Sequence, residues 1–234
     1  MIDLTIAQYI ILTYVLWMLT SFSYSVYLHR YLTHHAVELS NKLIIFFKIH
    51  LWLVLHYYPH NGFATWVDIH NQHHAYSDTI TDPHSPMYKT FKEMFTIPAV
   101  PIKTIIRMTP LDKFLFNLSA KISGRTVFFI ILVLLFNWVG VLLFLTTIAM
   151  PMYVPNVLIN YVCHKFGYNT EPARLSTDKS KNLLPWGILA GGEELHGNHH
   201  RHPRSPTFAA HWWEIDPTYL LLKVLSLFKL VRFR

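Results

Sequence analysis

The chain has 234 residues, 52% of them hydrophobic and 14% charged, with a formal net charge of +7 and a mean hydropathy of +0.27. That is too apolar for an ordinary soluble domain, yet long stretches are polar, so a single membrane-embedded domain over 1–234 with a water-facing part is expected. The lone cysteine, Cys163, excludes a disulfide and a cysteine-held iron–sulfur site, and in such a chain the positive balance reflects orientation rather than nucleic-acid binding.

The first element is the uncharged stretch 4–28, whose 25 residues suffice to cross a ~30 Å hydrocarbon core. A cleaved signal peptide fits poorly, because no basic stretch precedes it and the apolar run is too long. His29 and His34 follow in "HRYLTHH". Five residues subtend about 140° on an ideal α-helix. The first span is therefore expected to end near His29, with His34 in the turn beyond.

The next apolar run, 43–58, has 16 residues and contains Lys48, His50 and His56. It is short and broken by charge, which predicts an interfacial helix. In "HNQHH", His70, His73 and His74 stand at i, i+3 and i+4, one face of a helix, able to converge on one point. Proline and glycine predict loops at 59–62, 83–86, 98–110 and 185–192.

Residues 126–163 are 38 uncharged residues, too many for one crossing. Asn137 and Gly140 offer a turn, so a hairpin is expected, with spans at about 120–137 and 139–163. The first arm is short and borrows from 120–125. Asn160 and His164 share a face near its end. "HGNHH" then repeats the triplet spacing with His196, His199 and His200, and "WWEIDPTYLLLKVLSLFKLVRFR" predicts a closing amphipathic helix on the membrane surface or the cap.

No Lys or Arg precedes Arg30, and none lies between Arg125 and Lys165; ten fall in 30–125 and ten in 165–234. The positive-inside rule puts both segments on the cytoplasmic side and the N-terminus outside. The expected fold is an all-α membrane protein with about three transmembrane helices and interfacial amphipathic helices. A cytoplasmic helical cap of residues 29–119 and 164–234 would hold a histidine-rich dimetal site. A bacterial inner membrane and an endoplasmic reticulum both fit.

A single histidine is most often a packing residue, but three multi-histidine clusters on one side of a membrane call for another account. Imidazole suits Zn, Cu, Fe and Ni, and the nitrogen-only set disfavours Ca and Mg. Eight or nine imidazoles exceed what one metal can use, so two metals are implied. Ligand type alone leaves zinc and iron open.

H-x4-H, H-x2-HH and H-x2-HH, the last two separated by a membrane hairpin, resemble the histidine boxes of the integral-membrane fatty acid desaturases. "DPHSP" at 82–86 is similar to that family's Asp-Pro-His element, and Asn160 with His164 to its N-x3-H motif. "GGEELHGNHH" and "WWEIDP" resemble the bacterial acyl-CoA and acyl-lipid Δ9-type branch, and the resemblance runs from about residue 10 to 225. It implies nine metal-binding histidines: His29, His34, His70, His73, His74, His164, His196, His199 and His200. It places Asn160 on a metal-bound water, and makes Asp82, His84 and Glu193 candidates for orienting ligand imidazoles. His35 and His202 fall outside the pattern, and His50, His56, His60 and His211 are assigned to packing or headgroup contact.

The implied reaction is O2-dependent di-iron desaturation, a cis double bond set into a saturated acyl chain near its middle. The acyl carrier would be CoA, ACP or a glycerolipid. The chain carries no haem or flavin motif, so electrons would come from an external donor such as a ferredoxin or cytochrome b5 system. Carotenoid hydroxylases and ketolases share the box pattern, and a polyhistidine metal transporter is the alternative from another class. Two departures stand out. The chain is shorter than four-span relatives, which reverses the expected side of the N-terminus. Asn71 and Gln72, with Asp68 nearby, also occupy a box where relatives often carry basic residues, which suits CoA less well.

Overall fold

The computed structural model describes residues 4–55, 62–96, 98 and 100–234. Thr5 opens the first helix, α1 (Ile6–Ser23), through a reciprocal capping box with Gln8. Its outward face carries Ile6, Ile10, Ile11 and Val15, while Thr20, Ser21 and Ser23 are buried. A helix that turns its apolar side outward is matched to lipid rather than to water.

The chain does not leave the helix at His29. It continues without a break as a π-helix over Tyr24–Thr33, and the amide of His34 donates to the carbonyl of His29 at 3.0 Å. This corrects the expectation that the span ends near His29. A π-helix closes i→i+5 hydrogen bonds, so residues five apart stack on one face. The 140° of α geometry disappears, and the His29 and His34 rings lie with centroids 4.9 Å apart.

Beyond it come β1 (Val37–Leu39), α2 (Asn41–Leu55), α3 (Ala64–Tyr76), a 3-10 turn (Glu93–Phe95), α4 (Pro110–Ser119), α5 (Gly124–Phe136) and α6 (Trp138–Tyr153). A second π-helical segment, Val154–Val162, extends α6. The last elements are α7 (His196–Arg201), α8 (Pro217–Leu227) and β2 (Val231–Phe233). The mostly helical expectation holds, with one exception. β1 and β2 form a small antiparallel sheet pairing Val37 with Phe233 and Leu39 with Val231. The closing amphipathic helix is therefore cut short at Leu227, because the last residues pair with the segment after His34.

Two continuous helices, Ile6–Thr33 and Trp138–Val162, are long and apolar enough to cross a membrane. A third is reached only if α4 and α5, bent by 77°, count as one broken span. The hairpin turn falls at Asn137, whose φ of 56° is left-handed. Gly140 is required beside it, since a Cβ there would stand 2.2 Å from the Leu132 carbonyl oxygen. The first arm takes only Gly124 and Arg125 from the expected 120–125. Ser123 caps α5 by accepting from the Thr126 amide, and the chain enters from α4 at the bend.

The described part of the 43–58 run lies in α2, which buries Phe47, Leu51, Val54 and Leu55 against Val26, Tyr27, Phe63 and Leu222 while Ile45 and Phe46 face outward. His56 and His60, and the 59–61 part of the predicted loop, lie outside the described residues. Lys48 on α2 is buried with its ammonium 2.7 Å from Asp112 of α4. Removing one partner of a buried pair strands a charge, at a cost of about 3–5 kcal/mol, whereas replacing both by apolar groups is often neutral. Asp112→Ala should lower the melting temperature in detergent strongly, and Lys48→Met with Asp112→Leu should recover most of the loss; equal melting of both variants would contradict this.

Candidate metal centre

α3 presents His70, His73 and His74, α7 presents His196, His199 and His200, and the two π segments deliver His29, His34 and His164. All nine imidazoles meet. They form two groups, His29, His34, His70, His74 and His199 in one, and His73, His164, His196 and His200 in the other. Within each group the candidate ligand atoms lie within 4.8 Å of one another.

Neither triplet converges on one point, which corrects the simplest reading of the spacing. On an α-helix, i and i+4 differ by about 40°, whereas i+3 lies about 60° to the other side. His70 and His74 accordingly stay together and His73 turns to the second group. On α7, His196 and His200 stay together and His199 turns to the first. Each group thus takes a pair from one helix and a single residue from the other.

In the first group Nε2 atoms approach at 2.9 Å (His29–His199 and His199–His74) and 3.0 Å (His74–His70 and His70–His34). An imidazole nitrogen carries either one proton or one lone pair, so it can join one hydrogen bond. Five nitrogens in four consecutive contacts can form at most two. A cation at the centre would accept all five lone pairs. At a usual metal–nitrogen distance of ~2.1 Å, ligands at right angles stand about 3.0 Å apart, which is the spacing found.

The second group makes the same case through its carboxylates. His73 Nδ1 lies 2.9 Å from Asp82, His164 Nδ1 2.8 Å from Asp78, and His200 Nδ1 3.1 Å from Asp178. Holding the proton on Nδ1 leaves the Nε2 lone pair free. The Nε2 atoms of His73 and His200 then face each other at 3.2 Å, and those of His164 and His196 at 3.1 Å. The opposed lone pairs of His73 and His200 at that distance fit a shared cation. In the first group, Glu193 Oε2 lies 2.7 Å from His29 Nδ1.

These carboxylates are themselves held. Asp82 accepts from the amides of Asp78 and His84 at 2.8 Å each, and Asp78 from Ser85 Oγ and the Lys179 amide. His84 therefore contributes its backbone to the carboxylate cradle, while its ring lines an apolar chamber. Asp78 and Asp178 escaped sequence reading. Asp78 had a usable signal, four residues before Asp82; Asp178, in a plain polar loop, had none.

Arg30 was also missed and is fully buried. Its guanidinium lies 2.7 Å from Asp216 and 3.4 Å from Glu193, donates to the Pro206 carbonyl and to Ser25, and sits 3.8 Å over the Phe208 ring. Phe208 packs on His199 with centroids 4.4 Å apart. The "WWEIDP" motif thereby acquires a role. Asp216 grips Arg30, and Glu214 accepts from Asn198 Nδ2 of α7 at 2.8 Å.

Burial pushes the pKa values of His34, His70, His74, His196 and His199 well below the ordinary histidine value, helped by neighbouring imidazoles. Burial also brings His200 down to about 4, against the pull of Asp178. For His73 burial is outweighed by Asp82, Asp78 and Asp178, and its pKa is raised. Neutral imidazoles are the form that binds metal.

Asn160 stands on the wall of the chamber beside His29, His70, His196 and Glu193, with Tyr24, Trp66, Ile69 and Ile159 around it. The chamber continues past Leu55, Phe95 and Pro98 through shared walls at Tyr24, Trp66 and Pro155. Another, more open cavity is bordered by His34, His74, Asn71, Arg174 and Arg204. The remaining described histidines stay outside the groups. His35 is exposed, His202 pairs with Glu171 at 2.8 Å, His50 stacks on Phe46 and His211 on Trp213. Asp68 anchors a loop by accepting from the Lys103 and Thr104 amides.

The family model described as "Fatty acid desaturase" matches residues 5–226. The chain is 30% identical over 211 residues to an sn-1 stearoyl-lipid 9-desaturase of Synechocystis sp., covering 87% of this chain and 64% of that one. It is 29% identical over 210 residues to a Delta-9 acyl-lipid desaturase of Arabidopsis thaliana, covering 85% and 66%. It is 28% identical over 207 residues to an acyl-CoA 5-desaturase of Anemone leveillei, covering 85% and 62%. The chain thus spans just under two thirds of the length of these relatives.

Two outcomes are expected. Asp178→Asn should weaken metal loading by about 10–100-fold, read as metal bound per chain under limiting metal, with little change in folding. The six lowered imidazoles set the sign of the pH effect. The unfolded chain takes up protons first as pH falls, so stability is full above the ordinary value of about 6.5 and is lost from there down to about 4. His73, shifted the other way, is outnumbered. Metal-free protein should melt lower at pH 5 than at pH 7.5, and an unchanged melting temperature would contradict this.

Proposed function

This chain belongs to the fatty acid desaturase family, and on that premise we propose that it is an O2-dependent acyl desaturase that sets a cis double bond, Δ9-like, into a saturated chain. The observation that carries the reading is the pair of adjoining histidine groups opening on an apolar chamber. The two groups would hold two iron ions through the nine histidines, and Asn160 would hold a metal-bound water. Zinc fits the same nitrogen donors and can occupy overproduced protein. Bound iron would supply, with O2, the oxidising power that no side chain has for an unactivated methylene pair.

The protein's own residues do the rest. Asp82, Asp78 and Asp178 keep protons on Nδ1 of His73, His164 and His200 and so fix which nitrogen faces the centre. Trp66, Tyr24, Ile69 and Ile159 would position the acyl chain against the histidines and keep water from it. The indole Nε1 of Trp66 donates to the Tyr24 hydroxyl, which holds two chamber walls together.

The relatives' names divide among acyl-lipid, acyl-CoA and acyl-carrier-protein substrates, and the absence of basic residues at 71 and 72 speaks for an acyl-lipid carrier over CoA. Electrons would arrive from a separate ferredoxin or cytochrome b5 system. The segments that carry the histidines also carry all the Lys and Arg residues, which supports an integral-membrane enzyme with its site on the cytoplasmic face and its N-terminus outside.

Cells expressing the chain with a compatible electron donor should accumulate a new monounsaturated fatty acid, seen in the methyl-ester profile with double bonds located. The product should vanish with His199→Ala plus His200→Ala, and without O2 or reductant. Oxygenated carotenoid in its place would overturn the reading in favour of a hydroxylase or ketolase. Metal transport independent of O2 would overturn it in favour of a transporter.

A further inference from the structure

We propose that residues 185–190 insert into the bilayer leaflet on the histidine side as a non-helical wedge beside α1. The proposal rests on reading Ile6–Thr33 as a membrane span and is independent of the reaction catalysed. The sequence alone predicts only a loop of the cytoplasmic cap here.

The wedge is defined by its contacts with α1. Glu193 meets Ser25, and Gly191 lies against Phe22, where a Cβ would stand 3.3 Å from the ring. The Trp17 indole donates to the Leu189 carbonyl at 2.6 Å, and the Tyr14 hydroxyl to the Ile188 carbonyl at 3.0 Å. From residue 193 back to 188, the partner on the helix moves from 25 to 14, or ~16 Å along the axis at 1.5 Å per residue. Residues 188 and 189 therefore form the tip of the wedge, down the span from the histidines, while Gly187 turns back to Gly192 and Pro185 to Ile215.

The surface they present there is apolar. Residues 182–192 contain no charge, and Trp186, Ile188 and Leu189 are 53%, 46% and 39% exposed. Exposed Trp212, Trp213 and Ile215 adjoin them, joined through the Ile215 amide to the Pro185 carbonyl. Irregular backbone is tolerated at membrane depth only where its polar groups find partners within the protein. Here the buried Glu194 carboxylate accepts from the amides of Leu189, Ala190 and Gly192. Thr218 Oγ1 donates to the Gly191 carbonyl, and the two α1 side chains serve the carbonyls of 188 and 189. Polar groups turned inward and large apolar side chains turned outward, alongside a span, fit lipid as the occupant of this face.

The test is a nitroxide at Ile188→Cys in the full chain reconstituted in phosphatidylcholine bilayers. Cys163 is fully buried and stays unlabelled. Accessibility to O2 and to a water-soluble nickel chelate is compared with Ile10→Cys on the outer face of α1 and Lys179→Cys on the polar surface. The expected result is O2 access with exclusion of the chelate, matching residue 10. Chelate access matching residue 179 overturns the proposal, and so does chelate access at residue 10, since α1 would then not be a span. Trp186→Cys gives a second site if the first variant folds poorly. Enzyme activity plays no part in the readout, so this result and the product profile fail or succeed separately.

Discussion

The structure depends on one electrostatic constraint, the convergence of imidazole lone pairs in a buried space. Nitrogens 2.9–3.2 Å apart cannot all be satisfied by each other. They are tolerable together only around positive charge, and only if their protons are kept on the far side of the ring. Asp78, Asp82 and Asp178 provide the second condition for the second group, and each is anchored by backbone amides or hydroxyls. The carboxylates are thus as much a part of the centre as the histidines they hold.

A second layer of buried charge joins the centre to the chain's distant parts. Arg30 adjoins His29 in sequence, yet its partners are Glu193, Asp216, Pro206 and the Phe208 ring. The π segment, the approach to α7 and the C-terminal region are therefore locked to one guanidinium whose planar fork suits several acceptors at once. Phe208, pinned beneath it, covers His199 and His29. Buried ions of this kind are poor sources of net stability, but they discriminate strongly against misplacement of any one partner.

Both π segments sit where an apolar span hands over to a histidine of the two groups. The widened register gives His29 and His34 a common face that α geometry denies them. The cost is weaker helical hydrogen bonding, at a position where packing from α3 and α7 surrounds the helix. Such local departures are frequent at functional sites. Beside the same span, the non-helical 185–190 segment keeps its backbone satisfied through Glu194, Tyr14 and Trp17.

Much was legible in the sequence, for physical reasons that can be named. Charge-free runs reveal helices suited to lipid because no side chain there needs water, and Asn137 with Gly140 marks the hairpin because one takes a left-handed φ and the other permits close approach. The i, i+3, i+4 spacing of the histidines marks them as neighbours on a helix face. Local sequence could not divide the triplets between two groups, since that depends on how α3 and α7 face each other across the centre. Nor could it reveal the π register, the bend between α4 and α5, or the Asp78 and Asp178 carboxylates behind His164 and His200, because Asp178 meets His200 and Arg30 meets Asp216 only through contacts between segments far apart in the chain. Spacing along one helix is a local property carried by the chain itself, whereas lone pairs, protons and charges are matched across segments and are decided only when those segments pack.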